Sequence, residues 1–111
     1  MTIEYTLLDY LITNMQVPCY MEEPKDHDNR YVLIEKTGSS KENFIRSATF
    51  AIQSYGATME QAVDLNEEVK AVMDEFWKHH AVYSCKLNSD YNFTDTDTHR
   101  YRYQAVYEIT Y

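Results

Sequence analysis

The 111 residues carry a formal charge of −8, with 18 acidic against 10 basic side chains. The acidic side chains are spread along the chain, which excludes tight binding to duplex DNA, because neutralising phosphates takes clustered Lys and Arg. The length suits one domain, residues 1–111, with a single modest core. Eleven Tyr against two Gly favour half-buried strand and contact positions and leave no glycine-rich loop to cradle a phosphate.

Residues 3–14, "IEYTLLDYLITN", place Ile3, Leu7, Leu8, Leu11 and Ile12 on one stripe with Tyr10 beside it, the spacing of an amphipathic helix, and Thr2 stands where its cap belongs. The first residues carry Glu4 and Asp9 and have neither a basic start nor a long apolar run, so the expectation is no signal peptide, no membrane span and synthesis in the cytosol. "VPCYM", 17–21, reads as a short strand that Pro18 opens or places at an edge. "EEPKDHDN", 22–29, is polar and reads as an exposed loop.

"RYVLIEKTG", 30–38, is rich in strand formers and stops at Gly38; "ATFAIQSYG", 48–56, is a second strand. The connection between them is expected to tuck Phe44 and Ile45 under the fold. Thr58 and Gln61 then form a T-x-x-Q capping box, opening a five-turn helix whose buried face is Ala62, Leu65, Val69, Val72, Met73, Phe76 and Trp77. Its acidic start and the Lys78, His79 and His80 at its end match the helix dipole.

Two strands close the chain, 82–88 and 100–111, joined by the polar loop "NSDYNFTDTDTH", which is long for a hairpin connection. In the last strand Tyr101, Tyr103, Ala105, Tyr107, Ile109 and Tyr111 share one side, and Arg100, Arg102, Gln104, Glu108 and Thr110 the other. Such a strand needs neighbours on both ladders, so it is placed inside a sheet. The predicted architecture is α+β: a mostly antiparallel sheet of about five strands packed with two α-helices.

Catalytic equipment is not visible. Cys19 and Cys85 have no zinc-site spacing and read as small core hydrophobes. "DTDTH" would set Asp95, Asp97 and His99 on one face if extended, but an oxygen cage wants more ligands at turn-like spacing. Adjacent helical residues such as His79 and His80 point about 100° apart and chelate poorly. No carboxylate pair has the apolar setting of a raised pKa. The expectation is therefore no enzyme, no cofactor and no metal. The loop residues Asp26, His27, Asp28, Tyr91, Phe93, Asp95, Asp97 and His99 stand as possible assembly contacts.

A family likeness completes the picture. Pro18 opening the first strand, Pro24 before the loop, Tyr31, Val32 and Glu35 followed by Gly38, Asn43, the stretch "AIQSYGATMEQAVDL" with Gln53, Ser54, Tyr55, Ala62, Leu65 and Val69, and the ending Arg102–Tyr103–Gln104 together resemble the tail-terminator, or head–tail joining, proteins of long non-contractile-tailed bacteriophages. Two positions depart from the pattern: Ser39, where a second glycine often stands, and Thr49, where a proline often precedes the strand. The resemblance implies a homo-hexameric ring that caps the tail-tube protein, meets the head connector or stopper protein, and lets the genome pass its lumen without specific DNA binding. Its place would be the virion head–tail junction, after assembly in the host cytoplasm. A head-completion or minor capsid protein, a small ligand-binding regulatory domain, and a small metal-dependent enzyme remain as alternatives.

Overall fold

The computed structural model describes residues 2–26 and 29–111. In chain order these form α1 (Ile3–Asn14), β1 (Cys19–Tyr20), β2 (Tyr31–Glu42), β3 (Ile45–Gly56), α2 (Met59–Met73), a single 3₁₀ turn (Phe76–Lys78), β4 (Ser84–Asn92) and β5 (Tyr101–Thr110). Among the described residues one sheet of five strands runs β1-β2-β3-β5-β4, antiparallel except for the two-residue β1, which lies parallel to β2. The predicted α+β architecture is the one observed.

Both helix starts arise from their threonines. Thr2 Oγ1 accepts from Tyr5 N–H, and Thr58 Oγ1 accepts from Gln61 N–H at 3.2 Å while Gln61 Oε1 accepts in return from Ala57 N–H at 3.0 Å. Gly56, just before, is a close approach: a Cβ there would stand 2.6 Å from Ala62 N, so only glycine lets α2 start against the end of β3.

The core lies between the helices and one face of the sheet. Ile3, Leu7 and Leu11 of α1, Leu65, Val69 and Met73 of α2, and Phe76 meet Val32, Ile34, Phe50, Ile52, Ala105, Tyr107 and Ile109. Alternation along each strand puts the intervening residues on the opposite, helix-free face. β5 sits between β3 and β4, with Ala105 paired to both Ile52 and Asp90, as the alternating pattern of the last strand required. The chain end is tied down as well, with Tyr111 N–H donating to Arg46 O at 3.0 Å.

Several expected boundaries move. The strand expected over 17–21 shortens to β1. The connection expected after Gly38 is instead a continuous hairpin: β2 and β3 pair out to Glu42–Ile45 around a two-residue turn, Asn43 and Phe44. Phe44 and Ile45 are therefore not tucked away; they are 92% and 58% exposed. α2 ends at Met73, before the five turns expected, because the 3₁₀ turn changes the phase: Phe76 is fully buried while Trp77 is 57% exposed. Lys78, His79 and His80 thus lie beyond the helix, and Lys70 is the basic residue of its last turn. On α1, Ile12 leaves the expected stripe at 54% exposed and Thr6 is buried instead. The strand expected over 82–88 becomes β4, which runs on to Asn92 and shortens the loop before β5.

β4 meets α2 through charge. Asp90 accepts from Asn66 Nδ2 at 2.9 Å and from Lys70 Nζ at 3.0 Å. The Lys70 ammonium, helped by the Asn66 amide and opposed by partial desolvation, holds the Asp90 carboxyl below the ordinary carboxylate range. A folded value below the unfolded one means this stabilisation is present above the unfolded pKa and is lost as pH falls through the folded value. Lys70 is raised by the same contact, so its share persists below the ordinary lysine value and is lost only as pH rises through the folded one. Both side chains are about a quarter exposed, which screens the pair. Asp90→Asn is expected to cost about 1 kcal/mol at pH 7 in urea unfolding, a gap that closes as pH falls through the lowered folded value of the carboxyl.

Candidate assembly interface

The helix-free face is ordered by its own side chains. At the end of the sheet where β3 and β4 finish, Tyr31, Tyr55 and Arg102 stand in one cross-strand row, and Gln53, Gln104 and Tyr91 in the next. The Tyr31 and Tyr55 rings stack with centroids 4.5 Å apart. The Arg102 guanidinium lies 4.5 Å from the Phe93 ring centroid and 5.7 Å from that of Tyr55, which adds cation–π attraction to both rings. Its Nη1 donates to Tyr55 OH at 2.8 Å, that hydroxyl donates to Gln53 Oε1 at 3.1 Å, and Gln53 Nε2 donates to Gln104 Oε1 at 2.9 Å. Gln104 Nε2 in turn donates to Tyr91 OH.

This chain of donors explains a reversal of the sequence expectation. Gln104 belongs to the polar side of β5, yet it is only 8% exposed and Gln53 5%. Two amides can be buried at small cost because each supplies the other's missing partner. Their rotamers are consequently fixed before anything binds.

Two loops close over this end. Glu23 accepts from Tyr31 OH at 3.0 Å, and Arg100 Nη2 donates to both Glu23 and Tyr31 OH. Burial, followed by the hydrogen bond to Glu23, holds the Tyr31 hydroxyl well above its ordinary value, so it stays protonated. A hollow of about 190 Å³ remains beside this cluster, lined by Tyr31, Tyr55, Gly56, His99 and Arg100 among others.

The expected loop contacts divide between these features. Asp26 is exposed on the first loop; His27 and Asp28 lie outside the described residues. Tyr91 is not a loop residue but part of β4, 42% exposed, with its ring edge toward Phe93. Asp95 pairs with Arg100 as an isolated bridge and its carboxylate accepts from the N–H groups of Asp97 and Thr98. Those bonds hold the Asp95 carboxyl below its ordinary value. The segment 95–100 is therefore a closed turn, with His99 at φ 54°, and not the extended run that would align Asp95, Asp97 and His99. Among the described residues no three His, Cys, Asp or Glu side chains group to hold a metal ion.

The opposite end of the sheet is apolar. Phe44, Ile45, Tyr83, Thr110 and Tyr111 rim a hollow of about 300 Å³, with Phe44 and Tyr83 92% and 87% exposed. Sequence reasoning missed this patch because it placed Phe44 and Ile45 inside. The two cysteines lie elsewhere: Cys19 is buried and Cys85 half-buried, both free, and burial pushes each thiol up to about 11. At such values they are inert neutral side chains at physiological pH.

No family model and no curated protein matches this chain. Among the described residues no helix is long and apolar enough to cross a membrane.

Proposed function

We propose that this chain is a structural assembly protein of a tailed phage, a ring-forming subunit that ends the tail tube and joins it to the head connector. The observation that carries this reading is the one-sidedness of the sheet. Helices cover one face, while on the other the exposed Tyr91 and Phe93 and the half-buried Arg102 stand on a buried, mutually hydrogen-bonded layer of Gln53, Gln104 and Tyr55 that holds them in place. A surface fixed in advance loses little side-chain entropy on docking, which is what a subunit working through broad contacts requires.

Charge supports the same role. Six copies at −8 each would give a ring about −48, whose field repels DNA and favours passage through a lumen over adhesion. The likeness to tail-terminator proteins in the strand-to-helix stretch 51–65 and in Arg102–Tyr103–Gln104 gains a physical content here. Gln53, Tyr55, Arg102 and Gln104 of those two stretches bond to one another across β3 and β5.

Electron microscopy of negatively stained protein, with and without purified tail tubes, tests the proposal. Six-fold rings, free or seated on tube ends, are expected. A particle that stays a monomer and ignores tails would remove it.

One observation favours a different role. The hollow beside Tyr31 and Arg100 sets polar groups among aromatic rings, as a regulatory small-ligand site would, although its 190 Å³ falls below the usual size of such sites. Arg100 already spends its charge on Glu23, which weighs against an anion there. A thermal-shift screen with small metabolites would have to raise the Tm for that role to stand.

A further inference from the structure

The tip of the β2–β3 hairpin breaks a local rule. Asn43 and Phe44 occupy a two-residue turn with φ of 52° and 68°, the type I′ geometry in which both central residues are left-handed and the second is ordinarily glycine. An L side chain at that position is strained, the paired strands on either side hold it there, and strain of this kind clusters at sites of function. Here the strained residue is also, among the described residues, the most exposed large apolar side chain, at 92%. Folding of the monomer gains nothing from an aromatic ring in water on a strained backbone.

The charge around the tip is equally out of character. Lys41 and Arg46 face each other across the last ladder rungs, and the Lys41 ammonium lies 5.9 Å from the Phe44 ring centroid. Residues 36–46 hold three basic side chains and one acidic in a chain whose total is −8. The outer face of α2 is the opposite, with Glu60, Asp64, Glu67 and Glu68 exposed and Asp74 and Glu75 just beyond its end. Between α1 and α2 a hollow of about 320 Å³ is lined by Met15, Gln16, Glu68, Ala71 and Val72. Met15, Ala71 and Val72 give it apolar lining, Asn14, Gln16 and Glu68 polar lining, and the only ion pair to the Glu68 carboxylate among the described residues is a long one, Arg30 at 3.8 Å.

We propose that the hairpin is a docking arm for a second copy of this chain, seating Phe44 in the α1–α2 hollow of its neighbour while Lys41 and Arg46 face the acidic side of α2. The inference rests on the assembly reading above and gives it a contact. Arm and hollow are different patches, so the contact made head to tail repeats around a ring, whereas reciprocal exchange of arms would close a two-fold dimer, and sedimentation separates the two. The hollow is near the lower limit of ligand-site sizes, which suits one aromatic side chain and little else.

Sedimentation velocity and photo-crosslinking on the full chain test this. Phe44→Gly should keep or raise the Tm, since it relieves the turn, yet weaken self-association at least tenfold. Lys41→Glu with Arg46→Glu should do the same, and mixing that variant with a Glu67→Lys/Glu68→Lys chain should restore mixed assemblies. p-Benzoylphenylalanine at position 44 should crosslink to residues 14–16 or 64–75 of another copy. If the parent chain forms rings and Phe44→Gly forms them equally well, or the crosslink falls elsewhere, the arm is wrong and the assembly reading survives. If the parent chain never self-associates, with or without tail tubes, both fall together.

Discussion

A chain lacking residues 105–111 is expected to be insoluble or unfolded, with the far-UV circular dichroism of a disordered polypeptide. The deletion removes Ala105, Tyr107 and Ile109, all at most 2% exposed, from the middle of the core. It also removes most of the strand that joins β3 to β4, and among the described residues β4 has no other strand to pair with. Burial worth about 1.5–3 kcal/mol for each large apolar side chain would be lost along with two ladders, against a total stability of about 5–15 kcal/mol for a domain of this kind. A truncated chain that stays soluble with native-like strand signal would show that β5 is not central.

Phe50→Ala should be the most damaging single substitution, costing about 3–5 kcal/mol. Phe50 is fully buried on β3, between Lys36 of β2 and Tyr107 of β5, and looks into the space between sheet and helices. The resulting cavity cannot collapse, because β3 is held on both edges. In urea the unfolding midpoint should fall by more than about 1 M. Phe44→Gly supplies the contrast: the same residue type, in the same hairpin, removed with no loss of stability. A midpoint for Phe50→Ala within experimental error of the parent would contradict the core assignment.

How much of the fold was legible in the sequence depended on whether local chemistry and tertiary context agreed. Thr2, Thr58 and Gln61 announced both helices because caps are local, and the alternating period of 101–111 announced a strand with two neighbours. The hairpin tip was hidden because "NF" lacks the glycine that usually marks a type I′ turn. β4 beyond Leu87 looked like loop for two reasons: it is a polar edge strand, and an extra residue between Leu87 and Ser89 breaks the alternation. Trp77 was misplaced because a 100° projection assumes an unbroken helix, and the 3₁₀ turn after Met73 rotates the side chains beyond it. The candidate assembly surface was half visible. Phe93, Asp95 and His99 do lie toward one end, but the burial of Tyr31, Gln53 and Gln104 depends on partners distant in sequence, Glu23 and Arg100 for the first and the two amides for each other.

The irregularity in β4 has a twin in β2, where the register shifts between Lys36 and Gly38. Among the described residues β1 covers β2 only at Val32 and Leu33, so the rest of β2, like β4, has an unpaired margin, and each margin carries a kink and at least one lysine. Amyloid growth needs a flat, regular margin onto which strand after strand can stack. Margins broken in this way let the polypeptide reach high concentration without seeding fibrils.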